Sequence, residues 1–290
     1  MNSRDGNGVP LQPEESHTTD RRSFLRKASV GAGSALALGG LVELASAGTK
    51  PFKTKQDDHD HDHDDEYLRR RDHDILIAAE IAEALAVTTY TNIIETAPFF
   101  PNLPSDDQGY LVAARQEEMS HYLLEKSVTD DPSPFQSFFY PAGMFVDTQT
   151  TLNVLVTLED AFIAAYLVGV RHFSTSDLRV TAARIMGIES DHRTLARVIG
   201  GDVAPVNGGP IAAITGIQGV AESIAPPNNN GYERTLCWNR IEQAVAALTP
   251  FVDITAAKSA GFDVSKSFAF DPFTPTLPSA LGAFISFTGC

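Results

Sequence analysis

Two Glu-x-x-His motifs, Glu118–His121 and Glu189–His192, recur about seventy residues apart, and they constrain this chain more than anything else in it. At 3.6 residues per turn, positions i and i+3 share a helix face, so each motif sets a carboxylate beside an imidazole. One such motif is commonplace and usually lies on a solvated face. Here each is preceded by a single glutamate in an apolar helical pattern: Glu83 stands 35 residues before Glu118, and Glu159 stands 30 before Glu189. Glu, Glu-x-x-His, Glu, Glu-x-x-His, one per helix, is how a four-helix bundle assembles a two-metal carboxylate centre.

The surrounding pattern supplies the four helices. Residues 74–95 carry a broad apolar stripe with Asp74 as the expected cap, and Pro98, Pro101 and Pro104 forbid continuation. A second helix is expected over residues 105–126, opened by Ser105-Asp106-Asp107. Asp130-Asp131-Pro132-Ser133-Pro134 then breaks the chain, and no helical pattern returns before about Thr150. A connection this long suits a crossover between parallel helices. Its aromatics, Phe135, Phe138, Phe139, Tyr140 and Phe145, are expected to lie along the bundle. A third, almost wholly apolar helix covers about 150–173. A fourth covers about 178–199, between a Ser176-Asp177 cap and Gly200-Gly201.

The flanks have a different character. Asp20-Arg21-Arg22-Ser23-Phe24-Leu25-Arg26-Lys27, an Ala/Gly-rich apolar run and Ala45-Ser46-Ala47 are in the order of a twin-arginine export signal with its cleavage site. This predicts an exported, periplasmic or extracellular protein that meets the twin-arginine machinery and keeps no membrane span after cleavage. Residues 1–47 are thus read as signal, 48–73 as a structureless linker, 74–202 as the bundle and 203–290 as an extension packed on it. The linker holds a run of alternating Asp and His over 57–66, which reads as a solubilising tether or as a loose metal trap. The extension promises one helix, about 233–248, and then irregular chain broken by Pro250, Pro272, Pro275 and Pro278. A net charge of −15 argues against nucleic acid and anionic membranes as partners. The two cysteines, Cys237 and Cys290, form no Cys-x-x-Cys pair, although a disulfide between them is open to an exported chain.

Four carboxylates converging in a core repel each other and lose their hydration. Two divalent ions would cancel them and leave two neutral histidines as ligands; shared protons are the alternative. The candidate metal ligands are Glu83, Glu118, His121, Glu159, Glu189 and His192, and an oxygen-rich set with one imidazole per ion suits iron or manganese. Tyr90 and Tyr166 each follow a candidate ligand by seven residues, on nearly the same stripe. They read either as donors and radical traps beside the centre or as core aromatics. Glu80, Glu95 and Glu117 are spare, Glu117 being expected to point away from the site. His73 and His172 match no position in the pattern.

Over residues 74–201 these features resemble the ferritin-like superfamily, and within it the exported ferritin-like domain proteins. Leu158-Glu159-Asp160 with Ala164-Ala165-Tyr166, and Ala182-Ala183-Arg184 with Glu189 and His192, carry the resemblance. It implies an all-α, ferritin-like four-helix bundle with a long crossover, holding two iron or manganese ions. It also implies redox chemistry of the ferroxidase, peroxidase or catalase type on Fe(II), oxygen or peroxide. The alternative is a non-catalytic metal-binding or stress-protective envelope protein. Almost ninety residues follow Gly201, and such a tail would cover surface that a storage shell needs, so a monomer or small homo-oligomer is expected.

Overall fold

The computed structural model describes residues 61–201 and 236–276. Four long helices dominate: α1 (His61–Thr96), α2 (Ser105–Thr129), α3 (Thr148–His172) and α4 (Ser176–Gly201). Helix α1 packs chiefly on α2 and α3 chiefly on α4, giving two hairpins. Contacts of α1 with α3 and of α2 with α4 close them into one bundle. Its fully buried side chains include Ile81, Leu85 and Tyr90 of α1, Met119 of α2 and Leu155 of α3. Each aliphatic side chain so buried contributes about 1.5–3 kcal/mol.

Local chemistry sets the boundaries. Asp147 opens α3 by accepting from Thr150 N at 2.7 Å, and Thr175 Oγ1 accepts from Leu178 N at 3.2 Å at the head of α4. Asp130, left-handed at φ 59°, closes α2. Between α1 and α2 the prolines end the helix as expected, and a single 3-10 turn (Phe100–Asn102) accommodates Pro101.

Helix α1 begins thirteen residues before the expected Asp74. Part of the Asp/His run, residues 61–66, is helical rather than structureless; residues 57–60, the export signal and Cys290 lie outside the described residues. Two contacts favour the longer helix. Arg70 pairs with Glu66 one turn back at 3.0 Å, and the buried Asp72 carboxylate accepts from Ser174 N at 3.0 Å, fastening α1 to the α3–α4 turn.

Helix α3 is long and apolar enough to cross a membrane, yet two thirds of its most apolar stretch is buried inside the protein and it carries Glu159. It is the central core helix.

The crossover and the C-terminal chain meet in a small sheet that the sequence reading did not foresee. Strand β1 (Ser137–Pro141) pairs antiparallel with β2 (Phe262–Ala269), Phe138 opposite Phe268 and Tyr140 opposite Asp263, with a bulge between. Tyr140 stacks edge-on against Phe145, Phe251 and Phe268 at 4.9–5.9 Å, and its hydroxyl lies 3.0 Å from Thr89 Oγ1 of α1. Helix α5 (Ile241–Val252) starts later than the expected 233, where Gln243 Oε1 accepts from Asn239 N and Arg240 N at 2.8 and 3.2 Å. Pro250 lies inside its last turns instead of breaking the chain. The one-turn-and-a-half α6 (Ile254–Ser259) follows, and Gly261, at φ 77°, makes the left-handed turn into β2. Helix α5 lies on α1 and α3. Beyond β2, Phe270 packs on Tyr122, and Thr276 N donates to Gln116 Oε1 at 2.7 Å, so this chain runs across α2.

Candidate metal centre

All six candidate ligands come together in the middle of the bundle, in two overlapping sets of four. One is Glu83, Glu118, His121 and Glu189; the other is Glu118, Glu159, Glu189 and His192. Within each set the ligand atoms lie within 4.8 Å of one another. Helices α1 and α3 contribute one lone glutamate each, and α2 and α4 one Glu-x-x-His each. Glu118 and Glu189 belong to both sets, and each turns one oxygen to either side. His121 Nδ1 faces Glu118 Oε2 at 3.4 Å and Glu189 Oε1 at 3.3 Å. His192 Nδ1 faces Glu118 Oε1 at 3.0 Å and Glu189 Oε2 at 3.6 Å.

The glutamates are almost completely buried, and many of their atoms have no hydrogen-bond partner. Glu83 Oε2, Glu118 Oε2, Glu159 Oε2, both oxygens of Glu189 and His121 Nδ1 are orphaned. Buried polar atoms are otherwise satisfied in more than about nine cases of ten, and six orphans in one cluster leave donor atoms able to bind metal ions. Four carboxylates and two imidazoles match two divalent ions in charge, and the donor set fits iron or manganese.

The electrostatics of these side chains agree. Burial, and then the neighbouring Glu118 and Glu189 carboxylates, push Glu83 and Glu159 well above the usual carboxylate range. Burial also pushes Glu118 up, but the charge of His192 and the close approach of both His121 and His192 outweigh it and hold Glu118 well below that range. Desolvation works against charge on His121 and His192, yet the surrounding carboxylates lift both above an ordinary histidine. Left to themselves, the side chains hold protons where cations would otherwise sit.

A ring of supporting contacts fixes the ligands. Glu117 is half-buried at one edge, and it does not point away as expected. Its Oε2 lies 2.9 Å from His192 Nε2 and so presents Nδ1 to the cluster. The expectation considered only helix α2; His192 arrives from α4 and meets the neighbouring position. Arg193 binds Asp160 at 2.6 Å, tying together the residues that follow His192 and Glu159.

The two tyrosines cross between the halves. Tyr90 of α1 donates to Glu159 Oε1 of α3 at 2.6 Å, while Tyr166 of α3 donates to Glu83 of α1. Neither bonds the glutamate on its own helix. Tyr166 also lies 2.6 Å from Glu125 Oε1. One hydroxyl holds one proton, so either Glu83 or Glu125 carries another; burial pushes both upward. Glu125 escaped the sequence reading, although it follows Glu118 by the same seven residues that separate Tyr90 from Glu83. Glu80 is fully buried but lies outside both sets, bound by the Thr129 hydroxyl. His172 serves structure, with Nε2 at 2.8 Å from Asn239 O.

Residues 71–201 match the family model for the ferritin-like domain. That stretch includes all of α2, α3 and α4, most of α1 and every residue of the two sets. No curated protein matches the chain in sequence.

Proposed function

We propose that the ferritin-like domain of this protein binds two iron or manganese ions and carries out redox chemistry on Fe(II), oxygen or peroxide outside the cytoplasm. The supporting observation is the pair of ligand sets sharing Glu118 and Glu189, with orphaned atoms converging between them. Bound there, iron or manganese would supply one-electron redox chemistry and Lewis acidity. Glu83 with His121, and Glu159 with His192, would hold one ion each, and the shared glutamates both.

The protein's own groups orient these ligands and manage protons. Tyr90 Oη donates to Glu159, Tyr166 Oη to Glu83, and burial, followed by the adjacent carboxylates, keeps both phenols protonated. The shell of Leu, Ile and Phe side chains excludes bulk water. The arginine pair Arg21-Arg22 and Ala45-Ser46-Ala47 support export by the twin-arginine route, which transports folded proteins, so metal could be loaded beforehand.

The test is metal analysis of protein purified from its native envelope, followed by oxygen or peroxide added with reductant. Two ions per chain and many turnovers per site are expected. Consumption that stops after one equivalent would leave a metal-binding or stress-protective protein without fast turnover. A full complement of iron or manganese retained in both His121→Ala and His192→Ala would overturn the centre. Cleavage and export of a variant with both arginines changed to lysine would overturn the export route.

A further inference from the structure

The two hairpins repeat one another except in the size of a few core side chains. With Glu83 matched to Glu159, Ala79 and Ala82 of α1 stand where α3 has Leu155 and Leu158, and Gly169 of α3 stands where α1 has Ile93. With Glu118 matched to Glu189, Ala182 of α4 stands where α2 has Leu111. The four larger side chains are buried in the core. The four small residues instead share the lining of one cavity between the helices, toward the turn from α3 to α4. A methyl on Gly169 would stand 2.8 Å from the Phe173 ring in the wall, so the wall depends on that glycine. The cavity measures about 30 Å³. That is about twice the least space that holds one water, and it suits a molecule of two heavy atoms.

The lining decides which kind. Its free surface is almost wholly carbon, and no Lys, Arg or His contributes. At the buried end Glu125 Oε1 takes the Tyr166 hydroxyl at 2.6 Å, and Glu125 Oε2 is a single acceptor without a hydrogen-bond partner. A buried water needs about two to four polar partners, and hydrogen peroxide is at least as demanding. A neutral apolar diatomic gives up no hydrogen bonds on entering. The cavity also adjoins the centre. Ala82 precedes Glu83, Ile185 lies one turn before Glu189, and Tyr166 donates to Glu83. Of the lining residues only Val128 is exposed, which marks the outer end. We propose that dioxygen binds in this cavity and reaches the centre from the side of Tyr166. The choice of dioxygen among apolar diatomics rests on the redox function proposed above; the gas site itself does not.

The test is nuclear magnetic resonance of the full chain, treated with chelator and isotope-labelled at Ala, Ile and Leu methyls, under rising dioxygen pressure. Dioxygen is paramagnetic and broadens the methyls it touches. Saturable broadening is expected at Ala82, Ala165 and Ile185 and not at Leu155 or Leu158, the filled counterparts. Ala79→Leu or Ala165→Val, both at partly exposed positions, should remove it while helical circular dichroism is retained. The proposal is overturned if the two groups of methyls broaden alike, if the effect survives in the folded variants, or if hydrogen peroxide gives saturable shifts at the cavity methyls. Oxygen turnover without selective broadening would overturn this site alone. Selective broadening in a protein that does not turn over would support the gas site while the redox reading fails.

Discussion

The Tyr90 hydroxyl on α1 reaches across the bundle to Glu159 on α3, 2.6 Å away, and does not touch Glu83 on its own helix. With Tyr166 returning the favour to Glu83, each lone glutamate is held by the opposite hairpin. The position of a candidate ligand therefore depends on how the two hairpins dock, not only on the helix that bears it.

Removing either hydroxyl leaves a buried carboxyl group short of a donor. Tyr90→Phe should cost about 1–3 kcal/mol. Tyr166→Phe should cost more, since both Glu83 and Glu125 lose their partner. Urea unfolding of the chelated proteins measures both; equal stability with wild type would mean the crossed bonds contribute nothing.

The shared and unshared glutamates should differ in kind. Glu118→Ala and Glu189→Ala strike both sets and should remove nearly all metal. Glu83→Ala or Glu159→Ala should remove about half, and Glu80→Gln none. Metal-to-protein ratios after gel filtration decide this; the same loss in all four alanine variants would contradict a centre of two overlapping sets.

Glu117→Gln should preserve the fold and weaken metal binding by about 10–100-fold, because Glu117 orients the His192 ring. The weakening should fall on the half of the centre that contains Glu159. Competition with a chelator of known affinity would reveal a biphasic release, absent from wild type.

Protons and metal should oppose each other. Glu83, Glu159, His121 and His192 all bind protons more tightly folded than unfolded. Their stabilisation of the chelated protein is fully present below their unfolded values and is lost as pH rises through the folded ones. Glu118 has the opposite sign: its contribution is fully present above its unfolded value and is lost as pH falls from there through its depressed one. The chelated protein should thus melt at a lower temperature at about pH 8 than at about pH 6. Metal binding displaces these protons, so the rise in Tm on adding Mn(II) should be larger at the higher pH. Thermal melts with and without chelator test both trends.

The six clustered residues were legible in the sequence because a two-metal centre would demand particular residue types, and a helix converts their spacing into direction. Glu118 and His121 need share only one face of one helix, and the paired pattern of the two halves singles out Glu83 over Glu80. What required the structure lies between helices. Glu117 looks outward on α2 alone, yet His192 approaches it from α4. The seven-residue spacing of Glu83 and Tyr90 marks a stripe but not the partner across it. Strand β1 is five residues long, too short for a period-two signal to stand out, and its partner is more than a hundred residues further on. The start of α1 was missed for a similar reason, since Asp72 is anchored by Ser174, at the far end of α3.

That distant strand pairing has a consequence for biosynthesis. While the ribosome is still adding residues beyond α4, all six candidate ligands exist, but β1 has no strand beside it and Tyr140 lacks Phe251 and Phe268. An open edge and an uncovered aromatic cluster are sticky surfaces. A nascent chain halted before residue 262 should therefore be held by chaperones, even with its four-helix region fully synthesised. Completion of the C-terminal strand closes that edge and covers the aromatic cluster.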